Sequence, residues 1–513
     1  MSTNAPLPSS ERVRASIEEF AEKFVGQHYS EFDSDKIIND AVWGTHKFNP
    51  FELSLISLPI VQRLRQIRQM GFVNYVYPSA IHTRFEHSLG TAIIAQKLFD
   101  YSCKKGESFL SEKDLHHIRA AAILHDIGHG IFSHCSEELY GNSLRGMIDE
   151  EFEDKNADPK PHEFIAYLLI KSKPFRDFFG FLSSRYRMEI NPQTVANYIV
   201  GLPDAEDQRF KVSFINGSFD ADKLDYIYRD SRFSGIPLLL DLDRLMHEIA
   251  ISDLSSFGGS NNGDTIKDLT IGISGVSSVE QIVFNKMLLF STIYHHQKVK
   301  ACDCMFQGIF EYLAENKISI KIRDKELTFD NPIDFLWITD TDLVAEGART
   351  VDEELHRLIH NILYRRLLKR AVVISRKTIE GDPGPLLSTN FNRAESRIYL
   401  RNLSRKIWKD AGEPCSIHDV WIDIPSPPSF KEANSTYVRT NRTDPDQDLK
   451  QLSDMFPSHQ WTEQYNQHKL KGHVFCPEGS IDRIAASARK VFEQEGIVLK
   501  EEAFKACKNK VPR

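Results

Sequence analysis

Apolar side chains recur at three- and four-residue intervals across residues 53–240, which is the spacing of amphipathic helices. The spacing is clearest in five segments: LPIVQRLRQIRQM (58–70), HSLGTAIIAQKLFDYSC (87–103), LHHIRAAAILHDI (115–127), HEFIAYLLIKS (162–172) and ADKLDYIYRD (221–230). Strands would instead alternate every second residue, so a sheet cannot account for this region. The pattern predicts a nearly all-α domain.

The regions on either side have a different texture. SIEEFAEKFV (16–25) predicts an N-terminal helix, and residues 277–313 predict one long helix that packs back on the first domain. Beyond about residue 325, three segments are typical of short strands: IDFLWI (333–338), AVVISR (371–376) and HDVWIDIPSP (418–427). A helix is predicted between them, in ELHRLIHNILYRRLLKRA (354–371).

We therefore expect a mainly α protein with three parts. These are an N-terminal arm (1–40), a helical-bundle core (41–325) and a smaller C-terminal α+β lobe (326–513) with a regulatory or oligomerisation role. SSFGGSNNGDT (255–265) predicts an exposed loop or short hairpin. Residues 426–448, rich in Pro, Asn, Asp and Thr, predict a loop or flexible insertion rather than packed structure.

Composition excludes several classes of protein. With 41% hydrophobic and 27% charged residues, the chain is typical of a globular protein rather than a disordered one. The formal charge of −8 argues against a general nucleic-acid coat protein, although a local basic pocket for a phosphate tail stays compatible with it. Seven cysteines without CxxC spacing, and no apolar run of the ~18 residues that a membrane span requires, favour a cytoplasmic protein without a membrane partner.

The candidate chemistry is concentrated in AILHDIGHGIFSHCSEELYG (122–141), on or just after an apolar helix. Five ionisable residues occur within thirteen positions: His125, Asp126, His129, His134 and Glu137. Because His125 and His129 are four apart, we expect them to share a helix face, with Asp126 turning toward the same cavity. Imidazole and carboxylate groups hold Mn, Fe, Zn or Mg ions, so this segment predicts part of a metal site.

Further ligands must come from other helices, because one helix cannot surround an ion. His87 begins one helix, and Asp220, Asp222 and Asp225 lie before and along another. A lone His-Asp pair is most often a solvated or capping pair, and Asp220 as a helix cap or Asp225 as a paired side chain is the simpler interpretation. The combination favours metal binding, since so many ionisable groups beside an apolar run require a partner.

These blocks, in this order, resemble the HD-domain deoxynucleoside triphosphate triphosphohydrolase family, which includes bacterial dGTPases. The resemblance rests on LPIVQRLRQIRQMG, YPSAIHTRFEHSLG, HDIGHGIFSHCSE, the His-Glu of PHEFIAY and ADKLDYIYRDSRFSGIP, over about residues 40–300. It implies an HD-domain helical bundle that holds a divalent metal ion (Mn, Fe, Zn, Co or Mg) and hydrolyses deoxynucleoside triphosphates. It also implies a homo-oligomer: a dimer, tetramer or hexamer.

The resemblance assigns roles to individual residues. The implied metal ligands are His87, His125, Asp126 and Asp222. The implied catalytic group is His129, His134, Glu137 and His162, with His134 as general acid and Glu137 as its orienting carboxylate. The implied substrate contacts are Arg84 and Lys223 at phosphate oxygens, Gln69, Met70, Tyr226 and Asp230 around the sugar, and Lys286 and Tyr294 at the far end.

Two departures from the family pattern concern substrate length and control. Lys286 stands where relatives carry an arginine, so the bidentate fork that holds a terminal phosphate is lost. Gln62 and Arg65 match an effector site that reads a guanine nucleotide in the human sterile-alpha-motif member, but Ser57 replaces a carboxylate there. We therefore do not expect GTP activation, while another nucleotide effector stays open.

Two other classes of function also stay open. An HD-domain phosphohydrolase or phosphodiesterase could act on another nucleotide or on single-stranded nucleic acid, since the metal site fixes the bond type and not the substrate. A nucleotide sensor without turnover is the other alternative, and the full set of His129, His134 and Glu137 argues against it.

Overall fold

The computed structural model describes residues 9–508 except 27–28, 104–109, 154, 156, 256–265, 323, 382–392, 427, 429, 431–434 and 442–447. The helices up to residue 250 are α1 (Ser10–Phe24), α2 (Pro50–Ile56), α3 (Pro59–Arg63), α4 (Arg84–Cys103), α5 (Glu112–Leu124), α6 (His134–Phe152), α7 (Pro161–Lys171), α8 (Lys173–Tyr186), α9 (Pro192–Ile199), α10 (Arg209–Ser213), α11 (Ala221–Ser234) and α12 (Leu242–Glu248). Those after residue 250 are α13 (Val276–Leu289), α14 (Gln297–Asn316), α15 (Asp334–Trp337), α16 (Asp340–Arg349), α17 (Glu353–Leu363), α18 (Arg393–Asp410), α19 (Leu452–Met455), α20 (Ser458–Lys469), α21 (Ile481–Gln494) and α22 (Glu502–Lys508). The strands are β1 (Lys36–Asp40), β2 (Gly44–Phe48), β3 (Ile249–Asp253), β4 (Lys267–Gly272), β5 (Ile320–Ile322), β6 (Lys325–Leu327), β7 (Lys369–Ile374), β8 (Trp421–Asp423), β9 (Tyr437–Arg439), β10 (Leu449–Gln451) and β11 (Gly472–Cys476).

The predicted mainly α fold is confirmed, and its centre is α4. This helix packs against both α5 and α11 and buries apolar residues along its length, among them Phe85, Leu89, Ile94 and Leu98. A helix covered on several sides must lie inside the bundle. One continuous apolar cluster joins it to α1, α7 and α14, so the N-terminal helix predicted from SIEEFAEKFV is part of the same core.

The C-terminal part has a sheet and a core of its own. Strands β7, β11 and β8 form a three-stranded antiparallel sheet in that order, and α18 and α21 cover it. The apolar cluster beneath includes Val372, Val474, Leu403 and Ile484. This confirms the predicted α+β lobe and the strands predicted in AVVISR and HDVWIDIPSP. The limits at residues 40 and 325 stay predictions.

Three expectations about local structure are wrong. IDFLWI is helical at α15, where adjacent Phe335 and Leu336 are both fully buried, and a short apolar run does not distinguish a strand from a buried helix. The long helix predicted at 277–313 is interrupted after α13 by a π-helical turn, Phe290–Tyr294, and α14 then starts at a His296 cap.

The third concerns residues 426–448, where a loop was predicted. β9 within this segment pairs in parallel with β4 and completes a four-stranded sheet in the order β10, β9, β4, β3. The loop or hairpin predicted at 255–265 is flanked by β3 and β4, which pair antiparallel, while residues 256–265 lie outside the described residues. Among the helices that the structure describes, none has the length and hydropathy needed to cross a bilayer.

Candidate metal centre and catalytic pocket

The His-Asp pair lies just beyond the end of a buried helix. α5 starts at a capping box between Ser111 and Asp114 and ends at Leu124, so His125 is its C-cap. The following turn is closed by the backbone of His129, whose N–H donates to Asp126 O at 3.0 Å. The prediction that His125 and His129 share a helix face is therefore wrong. They occupy opposite ends of a tight turn.

Gly128 makes this turn fit against the next helix. A Cβ atom at that position would overlap the carbonyl oxygen of His162 on α7. Only glycine allows the backbone to approach so closely. The glycine therefore brings the His-Asp turn and His162 into the same pocket.

The structure brings the four predicted metal ligands together from three elements. His87 lies in the first turn of α4, Asp222 in the first turn of α11, and His125 and Asp126 after α5. His87 Nε2 lies 3.3 Å from His125 Nε2 and 2.9 Å from Asp222 Oδ1. His125 Nε2 lies 3.3 Å from Asp126 Oδ1. Donor atoms of His87, His125 and Asp126 all lie within 4.8 Å of one another.

The donor set fits a divalent cation. His87 Nδ1 hydrogen-bonds Asp225 Oδ2 at 2.7 Å, and His125 Nδ1 hydrogen-bonds the carbonyl of Ala122 at 2.8 Å. Both rings thus carry the Nδ1 proton and turn Nε2 toward the two carboxylates, where a metal ion would displace any proton from that nitrogen. Two imidazole nitrogens and two carboxylates that converge in this way are ligands for Mn, Fe, Zn, Co or Mg.

The electrostatics keep both candidate carboxylate ligands charged. Burial opposes the ionisation of Asp126, but the charge of Arg84, whose Nη1 donates to this carboxylate, holds the pKa of Asp126 well below its usual range. Burial likewise opposes the ionisation of Asp222, and a hydrogen bond from His87 lowers the pKa of Asp222. Charged carboxylates are the form that binds a metal ion.

A second cluster lies beside the first and contains the predicted catalytic group. Glu137 bridges two histidines: its Oε2 accepts from His134 Nδ1 at 2.6 Å, and its Oε1 accepts from His162 Nδ1 at 2.7 Å. The His129 ring stacks on that of His162, with 3.8 Å between ring centres. His129 is fully buried, whereas 62% of the His134 side chain is exposed, so the cluster opens to solvent at His134.

Charge and burial separate the members of this cluster. Burial opposes the ionisation of Glu137, but His162 and His134 hold the pKa of that carboxyl well below its usual range. Burial, followed by the charge of Arg84, holds the pKa of His129 well below its usual value, so this ring is neutral. Among the described residues, neither ring nitrogen of His129 has a hydrogen-bond partner.

The turn that precedes His134 adopts an unusual backbone conformation. Phe132 has φ 50° and Ser133 has φ 56°, values that non-glycine residues rarely adopt. Asp340, at the start of α16, holds this turn by accepting from Phe132 N at 2.8 Å and from Arg68 N at 2.9 Å. Sequence reasoning missed Asp340, because it lies 208 residues from Phe132 and carries no motif.

Two segments of the chain match known domain families. Residues 84–202, which hold the two clusters except Asp222, match the HD domain. Residues 240–498, about half of the chain, match the HD associated region. The chain belongs to the HD-domain family. This confirms the family that the sequence motifs predicted.

Several HD-domain relatives align with much of this chain. It is 25% identical over 453 residues to an uncharacterized protein of Methanocaldococcus jannaschii, covering 88% of this chain and 81% of that protein. It is 27% identical over 344 residues to the deoxynucleoside triphosphate triphosphohydrolase SAMHD1 homolog of Dictyostelium discoideum, covering 66% of this chain and 61% of that protein.

The human deoxynucleoside triphosphate triphosphohydrolase SAMHD1 is 26% identical over 367 residues, which cover 66% of this chain and 55% of that protein. The HD-domain chain thus spans little more than half the length of the relatives that carry this name.

Arg84 joins the two clusters of the HD domain. Its Nη1 donates to Asp126 Oδ2 at 2.9 Å and its Nε donates to Ser133 Oγ at 2.9 Å. The guanidinium is buried, and its Nη2 has no hydrogen-bond partner within the described parts of the chain. A buried N–H group normally has a hydrogen-bond acceptor, so Nη2 is available to an acceptor atom that enters the pocket.

Asp230, one of the predicted sugar contacts, has two partners in the pocket. Its Oδ1 lies 2.8 Å from His82 Nε2, and its Oδ2 accepts from Tyr294 OH. Gln69 and Met70 are buried, and Tyr226 is half-buried. Sequence reasoning missed His82, although its position two residues before Arg84 offered a signal.

Two predicted phosphate contacts have other partners in the structure. The Lys223 ammonium donates to the carbonyl of Gly217 at 2.7 Å and pairs with Asp220. Asp220 also caps α11, which confirms the simpler interpretation of this residue as a helix cap. Lys286 is buried with its ammonium 5.7 Å from the ring centre of Phe430.

The predicted effector residues lie outside both clusters. Arg65 Nε donates to Gln62 Oε1 at 2.8 Å, and Gln62 Nε2 donates to Ile56 O at 2.8 Å. The Arg65 guanidinium lies 3.6 Å from the ring centre of Phe85 and lines a largely apolar cavity of about 380 Å³.

Proposed function

We propose that this HD-domain protein is a metal-dependent phosphohydrolase that cleaves deoxynucleoside triphosphates to deoxynucleoside and triphosphate. The observation that carries the proposal is the position of Asp126. Its carboxylate borders His125 of the metal-type cluster at 3.3 Å and His129 of the histidine-glutamate cluster at 3.4 Å. A phosphate bound at one cluster therefore touches the other.

His87, His125, Asp126 and Asp222 would hold the ion. When bound, a divalent ion supplies Lewis acidity at a phosphoryl oxygen. Arg84 would bind a second phosphoryl oxygen through its unpartnered Nη2, because a buried guanidinium nitrogen gains most from a charged acceptor. Neutral His129 can donate one further hydrogen bond from the same side without adding charge.

His134 is placed to act as the general acid. Its Nδ1 proton is held by Glu137, so the other ring nitrogen faces away from that carboxylate and can carry the transferable proton. Water attacks the α-phosphorus, the bond from phosphorus to the 5′ oxygen breaks, and the departing oxygen takes the proton from His134. The proton that the attacking water loses passes to solvent, from which His134 is protonated again. His162 contacts the other oxygen of Glu137 and fixes the orientation of the pair.

The surroundings of Asp230 support a deoxyribose substrate. Its two oxygens are held by His82 and Tyr294, which orients the carboxylate toward a sugar hydroxyl. Gln69 Oε1 is buried without a partner among the described residues, so it can accept from the ligand. Met70, in the adjacent position, adds apolar bulk that disfavours a 2′-hydroxyl.

One observation favours a second candidate. The Lys223 ammonium pairs with Asp220 and the Lys286 ammonium lies over the ring of Phe430, so groups of the protein already engage both cations. A shorter phosphate chain or a phosphodiester, in another nucleotide or in single-stranded nucleic acid, needs fewer cations. The same metal-dependent chemistry would then cleave a different substrate.

The remaining features of the proposal concern assembly and control. The resemblance of the sequence motifs to the triphosphohydrolase family is the basis for proposing a homo-oligomer (dimer, tetramer or hexamer), which light scattering on the purified chain measures directly. A nucleotide effector would bind at Gln62 and Arg65. Ser57 cannot offer guanine the paired acceptors of a carboxylate, so an effector other than GTP is proposed.

Product analysis tests the proposed function. The metal-free chain is reloaded with Mn, Fe, Co, Zn or Mg and incubated with each deoxynucleotide and ribonucleotide, alone and in pairs, and the products are separated by ion-pairing chromatography. Deoxynucleoside plus intact triphosphate, absent with Asp126→Ala, supports the proposal. Cleavage of cyclic nucleotides or single strands, with every triphosphate left intact, overturns it in favour of the second candidate.

A further inference from the structure

Asp225 is a buried carboxylate that contacts one of the predicted metal ligands. Its Oδ2 accepts from His87 Nδ1 at 2.7 Å and from Arg229 Nε at 2.8 Å. Its Oδ1 accepts from Arg229 Nη2 at 3.0 Å and from the indole nitrogen of Trp43. Four N–H groups thus converge on two oxygens, which is as many as a carboxylate can accept.

The saturation of Asp225 determines what it can do. With all acceptor positions occupied, it is not itself a metal ligand. It is fully buried, and its ion pair with Arg229 on the same helix balances its charge. A carboxylate that accepts from Nδ1 fixes the ring orientation of a ligating histidine and directs the lone pair of Nε2 toward the metal.

The outer part of this arrangement comes from the N-terminal hairpin of β1 and β2. Asp40 closes the hairpin turn by accepting from Val42 N and Trp43 N, each at 2.8 Å. Its other oxygen pairs with Arg229 Nη1 at 3.0 Å. Trp43 stacks on Tyr228, with 5.0 Å between ring centres, and this contact holds the indole over α11.

The adjacent helix leaves room for these groups. A Cβ atom at Gly90 on α4 would overlap both Asp225 Oδ1 and Arg229 Nη2. The glycine lies one turn after His87 on the same helix. The hairpin, α4 and α11 therefore meet at one buried carboxylate whose position depends on all three.

We propose that Trp43 and Asp40 are positioning residues for His87, so that the hairpin at residues 36–48 sets the affinity of the HD centre for its metal. The inference rests on the metal centre of the proposed function. It gives a role in that centre to a hairpin outside residues 84–202, which match the HD domain. Trp43 acts on Asp225 directly, and Asp40 acts through Arg229. Neither residue contacts the metal or the substrate.

Metal binding by the full-length chain tests this inference. Metal-free wild type, Trp43→Phe and Asp40→Asn are titrated with Co²⁺, and affinity and the visible absorption spectrum are recorded. Loss of the carboxylate that orients a ligating histidine weakens metal binding by about 10–100-fold, so variants that only loosen Asp225 should weaken it by a factor up to this range, and a reoriented His87 alters the Co²⁺ spectrum. Phenylalanine keeps an aromatic ring against Tyr228, and melting curves of the metal-free variants verify that they fold.

Two matched controls separate positioning from general damage. Trp461→Phe makes the same substitution in α20, where the ring packs on Phe284 and Phe456. Thr45→Ala removes a hydrogen bond to Asn39 inside the same hairpin without touching Asp225. Both should bind Co²⁺ as the wild type does.

The outcomes distinguish this inference from the proposed function. Wild-type affinity and spectrum in both folded Trp43→Phe and Asp40→Asn overturn the inference while the metal centre stands. If the wild type binds no Co²⁺, or if His87→Ala binds Co²⁺ with the same affinity as the wild type, the proposed metal centre is wrong and the inference falls with it.

Discussion

Asp126 and His129 face each other across one turn of backbone, with Oδ1 and Nε2 3.4 Å apart. The same Asp126 oxygen lies 3.3 Å from His125 Nε2. One carboxylate therefore borders both the group that would hold a metal ion and the group that would handle protons. The two functions of the HD pocket can be separated by replacing one residue of this pair at a time.

Asp126→Asn should lose bound metal, whereas His129→Asn should keep it. An amide cannot supply the anionic ligand oxygen that Asp126 offers, so metal content and turnover fall together. His129 contacts Asp126 without belonging to the metal ligands, so its replacement should lower turnover by about 10²–10⁴-fold at unchanged metal content. Metal analysis after gel filtration, combined with turnover, measures the split. Equal metal loss in both variants would contradict the separation.

Glu137→Gln should move the alkaline limb of the kcat profile to lower pH. Desolvation of the side of the ring that packs in the cluster and the charge of Arg84 lower the pKa of His134, and the hydrogen bond and charge of Glu137 raise it. Removing the carboxylate leaves the lowering effect unopposed, so the pKa of His134 falls. A general acid must be protonated, and its activity is lost as pH rises through its pKa, which now lies lower.

The control for this experiment is Glu138→Gln. Glu138 is the next residue on α6, but its carboxylate accepts from Gln307 Nε2 at 2.8 Å instead of contacting His134. Its replacement should leave the alkaline limb in place. An unchanged limb in Glu137→Gln would remove His134 from the role of acid.

Local spacing was enough to predict the helical core and to choose the residues that converge. His87, His125, Asp126 and Asp222 each lie in or beside a strongly periodic helix, so placing the helices placed the side chains. Their roles stay predictions. Spacing failed where a helix ended: His125 caps α5, and the expected face shared with His129 does not form.

Contacts between distant parts of the chain could not be predicted from one sequence. Trp43 reaches Asp225 across 182 residues, and Asp340 reaches Phe132 across 208. Nothing in the local sequence around Trp43 or Asp340 indicates that these side chains make such contacts. The π-helical turn before His295, which places Tyr294 against Asp230, also leaves no trace in an apolar run that continues through it.

Gly90→Ala should destabilise the protein, while Gly146→Ala should not. A methyl group at Gly90 overlaps the buried pair of Asp225 and Arg229, and overpacking of this kind costs about 1–3 kcal/mol of unfolding free energy. Gly146 on α6 is exposed, with no atom within 4 Å of a new Cβ, so alanine there should add up to about 1 kcal/mol. Urea unfolding of both variants measures the difference. Similar stability of the two would mean that Asp225 and Arg229 can move apart freely.

Asp340→Asn tests the strained turn and its dependence on pH. The carboxylate accepts from two backbone N–H groups, of Phe132 and Arg68, and an amide offers only one acceptor oxygen, so the variant should lose about 1–3 kcal/mol of unfolding free energy.

Burial raises the pKa of Asp340 to about 6, although those two hydrogen bonds and the charges of Arg68 and Arg63 act to lower it. Because this folded-state pKa lies above the unfolded value of about 3.9, the stability linked to its proton is complete below about pH 4 and is lost as pH rises through about 6. The difference in unfolding free energy between wild type and Asp340→Asn, measured with urea, should therefore narrow as pH rises from about 4 to about 6. A constant difference would contradict the raised pKa.

The turnover of Asp340→Asn should also fall, since Phe132 and Ser133 position His134. Asp342→Asn is the control for turnover, because the Asp342 carboxylate accepts from the backbone N–H and the hydroxyl of Thr339, the cap of α16.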